Sequence, residues 1–367
     1  MTRTTSQTDS VVVRAELRVT TSTNFGTTTL SNATPSRLGQ IQAAGAADAL
    51  WLKIFSGEVL TAYEQAKKLK PTVRVRQIAN GKSAQFPATF NATADYHTPG
   101  AEILGNAIEH NEVIVTLDDM LISNVFIALI DELKNHYDVR APYSEALGRS
   151  LALLEDRTIA QNIAVAARDT VELFNGDGSG SRVVEADITG TGDFDADGAD
   201  LVTAINLAKQ ALDERDVPVD TLQVHSVVKP AQWYLIANTD GNLNRDYNGG
   251  EGSTFGRQSL RLVSDVIIYK SNAPLFGVNV TPTAGGGIVG AVGETRVPAA
   301  FPTKYHADLT ETRGLVYCEP AVAYLQLLGL QMESGWDMRR QGTLMLAKMA
   351  IGMGKLRSKC AVEIATV

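Results

Sequence analysis

"APYSEALGRSLALLEDRTIAQNIAVAARDTVELF", residues 141–174, is the stretch on which the architecture turns. Pro142 suits a first helical turn, where its missing N–H has no partner to lose. Leu147, Leu151 and Leu154 recur at helical spacing, and Ile159, Ile163 and Ala166–Ala167 carry the stripe onward. No proline interrupts the run, and Gly148 is its only weak helix former. One helix over residues 142–170 would span about 44 Å, several times the pitch of a single turn and well beyond an average helix. Such a helix is a beam. Glu155-Asp156 in its middle read as part of a solvated strip.

The flanks of the beam differ in kind. Residues 1–44 are rich in Ser and Thr and read as an arm lying on something else. Residues 45–70 have near-helical spacing at Leu50, Ile54, Leu60 and Tyr63. Residues 71–118 form a long β excursion. Its outbound strand alternates at Thr72–Ile78, its middle is polar with Pro87, Pro99 and Gly100, and its inbound strand is Glu112–Leu117. Asp118 and Asp119 suit a helix start, and "NVFIALIDELKNHYDV" (124–139) is expected to be that helix.

Beyond the beam, residues 186–317 have an α/β rhythm. A helix at 198–217 leads to a strand at 221–228, a short helix at 229–238, a Gly/Asn loop at 238–258 and a strand at 265–272. Residues 318–367 alternate as sheet strands do, around one short helix near Pro320–Leu325. The pattern is an α+β fold whose first layer is left near residue 185 and rejoined near 318.

Chemical motifs are few. Gly81-Lys82-Ser83 ends like a phosphate-binding loop, but the required upstream glycine is Arg76, and Pro87 discourages the helix that should follow. Asn80-Gly81 fits a tight hairpin turn instead. Asp193, Asp195 and Asp197 followed by Gly198 open like a calcium loop, yet the twelfth position, which should be Glu, is Ala204. That run therefore reads as a helix cap, with a calcium-dependent extracellular adhesion module as the alternative reading of the chain. Histidines 97, 110, 136, 225 and 306 never fall at metal-ligand spacing. Cys318 has no local histidine and reads as strand filling. No catalytic residue, cofactor site or metal site is expected.

Bulk properties agree. The net charge of −8 disfavours tight contact with nucleic-acid phosphates, and 44% hydrophobic residues can bury a core. Two cysteines fit a reducing compartment. The opening "MTRTTSQTDS" lacks the apolar core of a signal peptide, and no apolar run is long enough to cross a bilayer. The expectation is a soluble intracellular product without a membrane partner.

Four segments in order, "LWLKIFSGEVLTAYE" (50–64), "NGKSAQFP" (80–87), "NHYDVRAPYSEALGRSLALLEDRTIA" (135–160) and "VVKPAQWYLI" (227–236), resemble the major capsid proteins of short-tailed, autographivirus-like bacteriophages. The resemblance covers roughly residues 45–367. It implies the HK97-like fold, with residues 71–118 as an extended E-loop that reaches over a neighbouring subunit. Residues 119–185 would be the P-domain, with a spine helix at about 142–170; residues 186–317 would be the inserted A-domain, and residues 318–367 the return to the P-domain sheet. The loop at 238–258 would then gather near a capsomer centre and differ between unlike positions. It further implies self-assembly into hexamers and pentamers, scaffolding and portal partners, and packaged DNA that is enclosed without specific binding. The product would be a virion component assembled in the host bacterial cytoplasm. Gly81, Lys82, Phe86 and Phe90 are the expected intersubunit contacts. The lysine crosslink of some shells with this fold is not carried over to Lys82.

Overall fold

The long helix forms, and it organises the rest. A computed structural model describes residues 58–366 except 65, 93, 95, 101, 104, 131–139, 186–193, 239–261, 264 and 281–300. The arm at 1–44 and nearly all of the loop at 238–258 lie outside the described residues. Helix α1, Arg140–Ala167, is 28 residues long, about 42 Å at helical rise. From Leu151 onward it is buried on almost every side, so two separate layers must cover it.

The first layer is a four-stranded sheet in the order β1–β10–β11–β4. Its strands are β1 (Arg74–Gln77), β10 (Val322–Asp337), β11 (Gly342–Lys355) and β4 (Leu121–Ala128). The second is a six-stranded sheet in the order β5–β12–β9–β6–β8–β7. It comprises β5 (Ser181–Glu185), β12 (Ala361–Thr366), β9 (Thr312–Cys318), β6 (Val224–Val228), β8 (Val266–Lys270) and β7 (Leu262–Val263). Helix α2 (Phe194–Asp213) covers that sheet, and α3 (Pro230–Asn238) packs against α2. All five residues of β6 are buried, as expected of a central strand with both faces covered. Strands β2 (Ser83–Thr89) and β3 (His110–Thr116) make a separate antiparallel pair.

Four sequence expectations are corrected. Residues 124–128 are not helical: they belong to β4, where Asn124 pairs Leu346 and Phe126 pairs Leu344. A short run rich in Ile, Val and Phe suits strand as well as helix, and the free edge of β11 decides for strand. Residues 131–139 lie outside the described set. Second, Asn80-Gly81 is not a hairpin turn. Gly81 has φ +119°, and the chain bends from β1, which pairs in parallel with β10, into β2, which pairs with β3. Third, the helix near Pro320–Leu325 is a single 3-10 turn, Glu319–Ala321, because Val322–Leu325 are taken up by β10 between β1 and β11. Fourth, the tail does not rejoin one sheet. Strands β10 and β11 form the four-stranded layer, whereas β12 inserts between β5 and β9 in the other.

Glu155 and Asp156 are no solvated strip, because both are fully buried. Glu155 accepts hydrogen bonds from the Tyr63 and Tyr324 hydroxyls, with the Lys70 ammonium 3.5 Å away. Burial, then the Glu155 charge, pushes both tyrosine pKa values up. Asp156 accepts the backbone N–H groups of Lys68 and Leu69 at 3.0 and 3.1 Å. Burial raises its pKa to about 6 despite those bonds. The pair thus staples residues 63–70 and strand β10 to the middle of the beam. Near the beam's N-terminal end, a Cβ on Gly148 would lie 2.5 Å from the Val59 carbonyl, so only glycine permits the helical run 58–64 to cross so closely. At the far end, Arg168 grips the buried Glu363 of β12 with two 2.6 Å bonds. Cys318 and Cys360 are both buried, and burial pushes their thiols to about 12 and about 11.

Candidate functional site

A long exposed loop with a firmly packed root stands out against this well-tied body. The root is the β2–β3 pair, in register from Ser83 opposite Thr116 to Thr89 opposite His110. Period-2 alternation turns Ala84 and Phe86 toward Val115, Ala323, Leu325 and Leu356, a small core separate from the main one. In β11, a Cβ on Gly352 would lie 2.4 Å from the Thr116 carbonyl, so glycine there lets β3 lie directly on the sheet.

The inbound end is clamped. The Tyr305 hydroxyl donates to Asp118 at 2.5 Å and accepts the Met353 backbone N–H at 2.8 Å. Lys304 pairs with the same carboxylate at 2.6 Å. Burial and the neighbouring Asp118 charge drive the Tyr305 pKa upward, which keeps its proton on the donor side of that bond. Asp118 is therefore a latch at a strand end rather than the helix start its sequence suggested. The Asn111 amide donates to the Leu173 carbonyl at 2.7 Å, and the Phe90 and Phe174 rings lie 5.2 Å apart.

Past Phe90 burial ends among the described residues. Between 91 and 109 every described residue is exposed and none is in helix or strand. Tyr96 and Ile103 are 105% and 80% exposed, values at odds with a loop folded back on its own subunit. From Ser83 to Leu133 the sequence has no Lys or Arg, while Asp95, Glu102, Glu109 and Glu112 carry negative charge.

The four residues expected to touch a neighbour divide two and two. Gly81 and Lys82 are exposed at the bend. Phe86 is 5% exposed and lies in its own subunit's small core, with the Arg76 guanidinium 5.3 Å from its ring; Phe90 is half-buried against Phe174. The alternation Ala84, Phe86 against Gln85, Pro87 carried the signal that Phe86 points inward. The exposed apolar residues Tyr96, Ile103 and Ile108 were not singled out, because isolated large residues in a polar loop show no period.

The motifs that raised other chemistries resolve. No helix follows Ser83, so Gly81 and Lys82 do not form a phosphate loop. Asp195 and Asp197 fall in the first turn of α2, where carboxylates face the unpaired backbone amides of a helix start. Asp193 lies outside the described residues. No group of three or more metal-ligating side chains occurs among the described residues, and among them no helix is long and apolar enough to cross a membrane.

A family model described as Gp10A-like major capsid protein matches residues 85–365. The major capsid protein of Enterobacteria phage T3 is 30% identical over 355 residues, covering 89% of this chain and 94% of that protein. That of Escherichia phage T7 is 30% identical over 343 residues, covering 88% of this chain and 93% of that one. Among solved structures, the capsid of cyanophage P-SCSP1u superposes with a TM-score of 0.65 at 35% identity, over 92% of this chain and 99% of that chain. The architecture is accordingly the HK97-like fold of phage shells. By sequence along most of its length and by fold, the chain belongs to the Gp10A-like family of major capsid proteins, which are structural proteins and not enzymes.

Proposed function

We propose that this chain builds the icosahedral head shell around the double-stranded DNA of a short-tailed phage, and that the loop rooted at β2–β3 is its arm onto a neighbouring subunit. The observation that carries the arm reading is the contrast between a latched root and a tip whose described residues are all exposed, Tyr96 and Ile103 among them. Exposed apolar residues and open backbone are liabilities unless another chain covers them. In this reading residues 71–118 hold the E-loop, with the arm proper starting after β1, since β1 is part of the four-stranded sheet. Residues 119–185 and 318–367 form the P-domain with α1 as its spine, and residues 186–317 form the A-domain, which β12 rejoins.

A net charge of −8 suits a wall that encloses DNA without holding it. Scaffolding and portal proteins complete the assembly, which takes place in the host bacterial cytoplasm. Gly81 and Lys82 remain candidate contacts at the arm's outer root. Negative-stain microscopy of the purified chain tests the reading: closed particles are expected. Replacing residues 92–107 by a short Gly/Ser bridge should leave a folded subunit that forms none, because Phe90 and Glu109 are already joined by a 3.0 Å backbone bond. Full particle formation by the bridged variant would refute the arm reading.

A further inference from the structure

We propose that the acidic arm docks in an arginine-lined cleft at the arm root of the next copy, an inference that rests on the shell reading above. The cleft measures about 570 Å³ and lies between the outer edge of β1, the root strand β2 and the turn after β11. Arg74 and Arg76 project from β1 two residues apart, on one side of the strand, and Arg357 faces them. Phe86, Leu356 and Pro320 give the cleft apolar walls.

Three features make it a receiving site. Strand β1 is the edge of its sheet, all four of its residues are exposed, and its backbone has an unpaired side open to an added strand. Arg76 is already used by its own subunit, donating to the Gln85 carbonyl at 2.5 Å. Arg74 and Arg357 have no carboxylate partner among the described residues, although acidic residues outnumber basic ones by 41 to 33 in the chain.

The arm is the complement. It has no Lys or Arg, and two of its exposed acids each adjoin an exposed aliphatic residue, as Glu102-Ile103 and Ile108-Glu109. An extended segment of this pattern offers carboxylates to Arg74 and Arg357 and aliphatic side chains to the walls. Each copy gives one arm and receives another, so the contact is head-to-tail, the kind that closes into rings when the rotation permits. A nucleic acid fits less well: the cleft offers three arginines on a net acidic protein, not an extended basic stripe.

Charge reversal tests the pairing. Arg74→Glu with Arg357→Glu should lower particle yield about tenfold or more, since like charges then face each other. Glu102→Lys with Glu109→Lys should do the same, and all four changes together should restore particles. Arg74→Gln with Arg357→Gln, which removes charge without reversing it, should give an intermediate loss, and thermal melting of each free subunit should stay near wild type. Wild-type yield from either reversed pair, or no rescue from the fourfold variant while its subunits melt normally, would overturn the pairing and leave the shell reading intact. The same holds if the cleft retains a DNA oligonucleotide and reversal alters only that retention. Failure of the wild-type chain to form any closed particle would remove both.

Discussion

The middle of α1 and the exposed stretch of the arm both place carboxylates beside large side chains, and the two do opposite things with them. At Glu155 and Asp156 every charge is withdrawn from water and answered from within the subunit, by two tyrosines, one lysine and two backbone amides. At Glu102 and Glu109 the carboxylates stand exposed beside bare aliphatic residues, with no Lys or Arg nearby in sequence. Buried charge with complete partners fixes one arrangement of one chain. Exposed charge beside exposed apolar surface does nothing for the isolated subunit and is available to another molecule. The molecule separates what holds it together from what it offers.

Substitutions at the two regions should therefore differ in kind. The largest effect on subunit stability is expected from Glu155→Ala. It leaves two tyrosine hydroxyls without their acceptor and the Lys70 ammonium without its carboxylate, at a cost of about 3–5 kcal/mol by denaturant unfolding of the free subunit. A loss below about 1 kcal/mol would mean that water satisfies the site.

Asp156→Asn comes next, and its effect depends on pH. The folded carboxyl keeps its proton up to about pH 6, whereas the ordinary value is 3.8. Its contribution to stability is thus fully present below about pH 4 and lost as the pH rises through about 6. The stability difference between wild type and variant should change by an amount on the order of 2 kcal/mol across that window. A difference that stays constant with pH would show that Asp156 titrates normally.

Lys348→Ala breaks the pair with Glu333, whose side chain is 58% exposed, and should cost less than about 1 kcal/mol. Smallest of all for the subunit is Glu102→Ala with Glu109→Ala, expected to shift unfolding by no more than about 0.5 kcal/mol. That pair should nonetheless lower particle yield. Equal losses of subunit stability at the beam and at the arm would erase the contrast.

Much of this was legible in the sequence. Helix α1 was readable because its apolar residues keep helical spacing over many turns, and the arm because a polar, Pro/Gly-marked excursion separates two alternating strands. Strand β4 was not, since a run as short as Val125–Ile127 fits either period until β11 offers its edge. The burial of Glu155 was hidden for another reason. Its partners Tyr63 and Tyr324 are 92 and 169 residues away, and no local pattern announces a pairing across such distances. The inward packing of Phe86 was hidden as well, because the small core that receives it draws on β10 and on Leu356, far along the chain. The arm's charge, by contrast, is a pure sequence fact, and its meaning emerged only once β1 and Arg357 were seen to form a cleft.

The central claim is that the arm tip belongs to a neighbour and its root to its own subunit. Amide hydrogen exchange on free and assembled protein measures this directly. Residues 83–89 and 110–116 should be protected in both states, because the hydrogen-bonded pair is formed within one chain. Residues 91–109 should exchange freely in the subunit and become protected in the particle. If the tip is already protected in the free subunit, or stays unprotected in the shell, the arm does not serve assembly and the account is wrong.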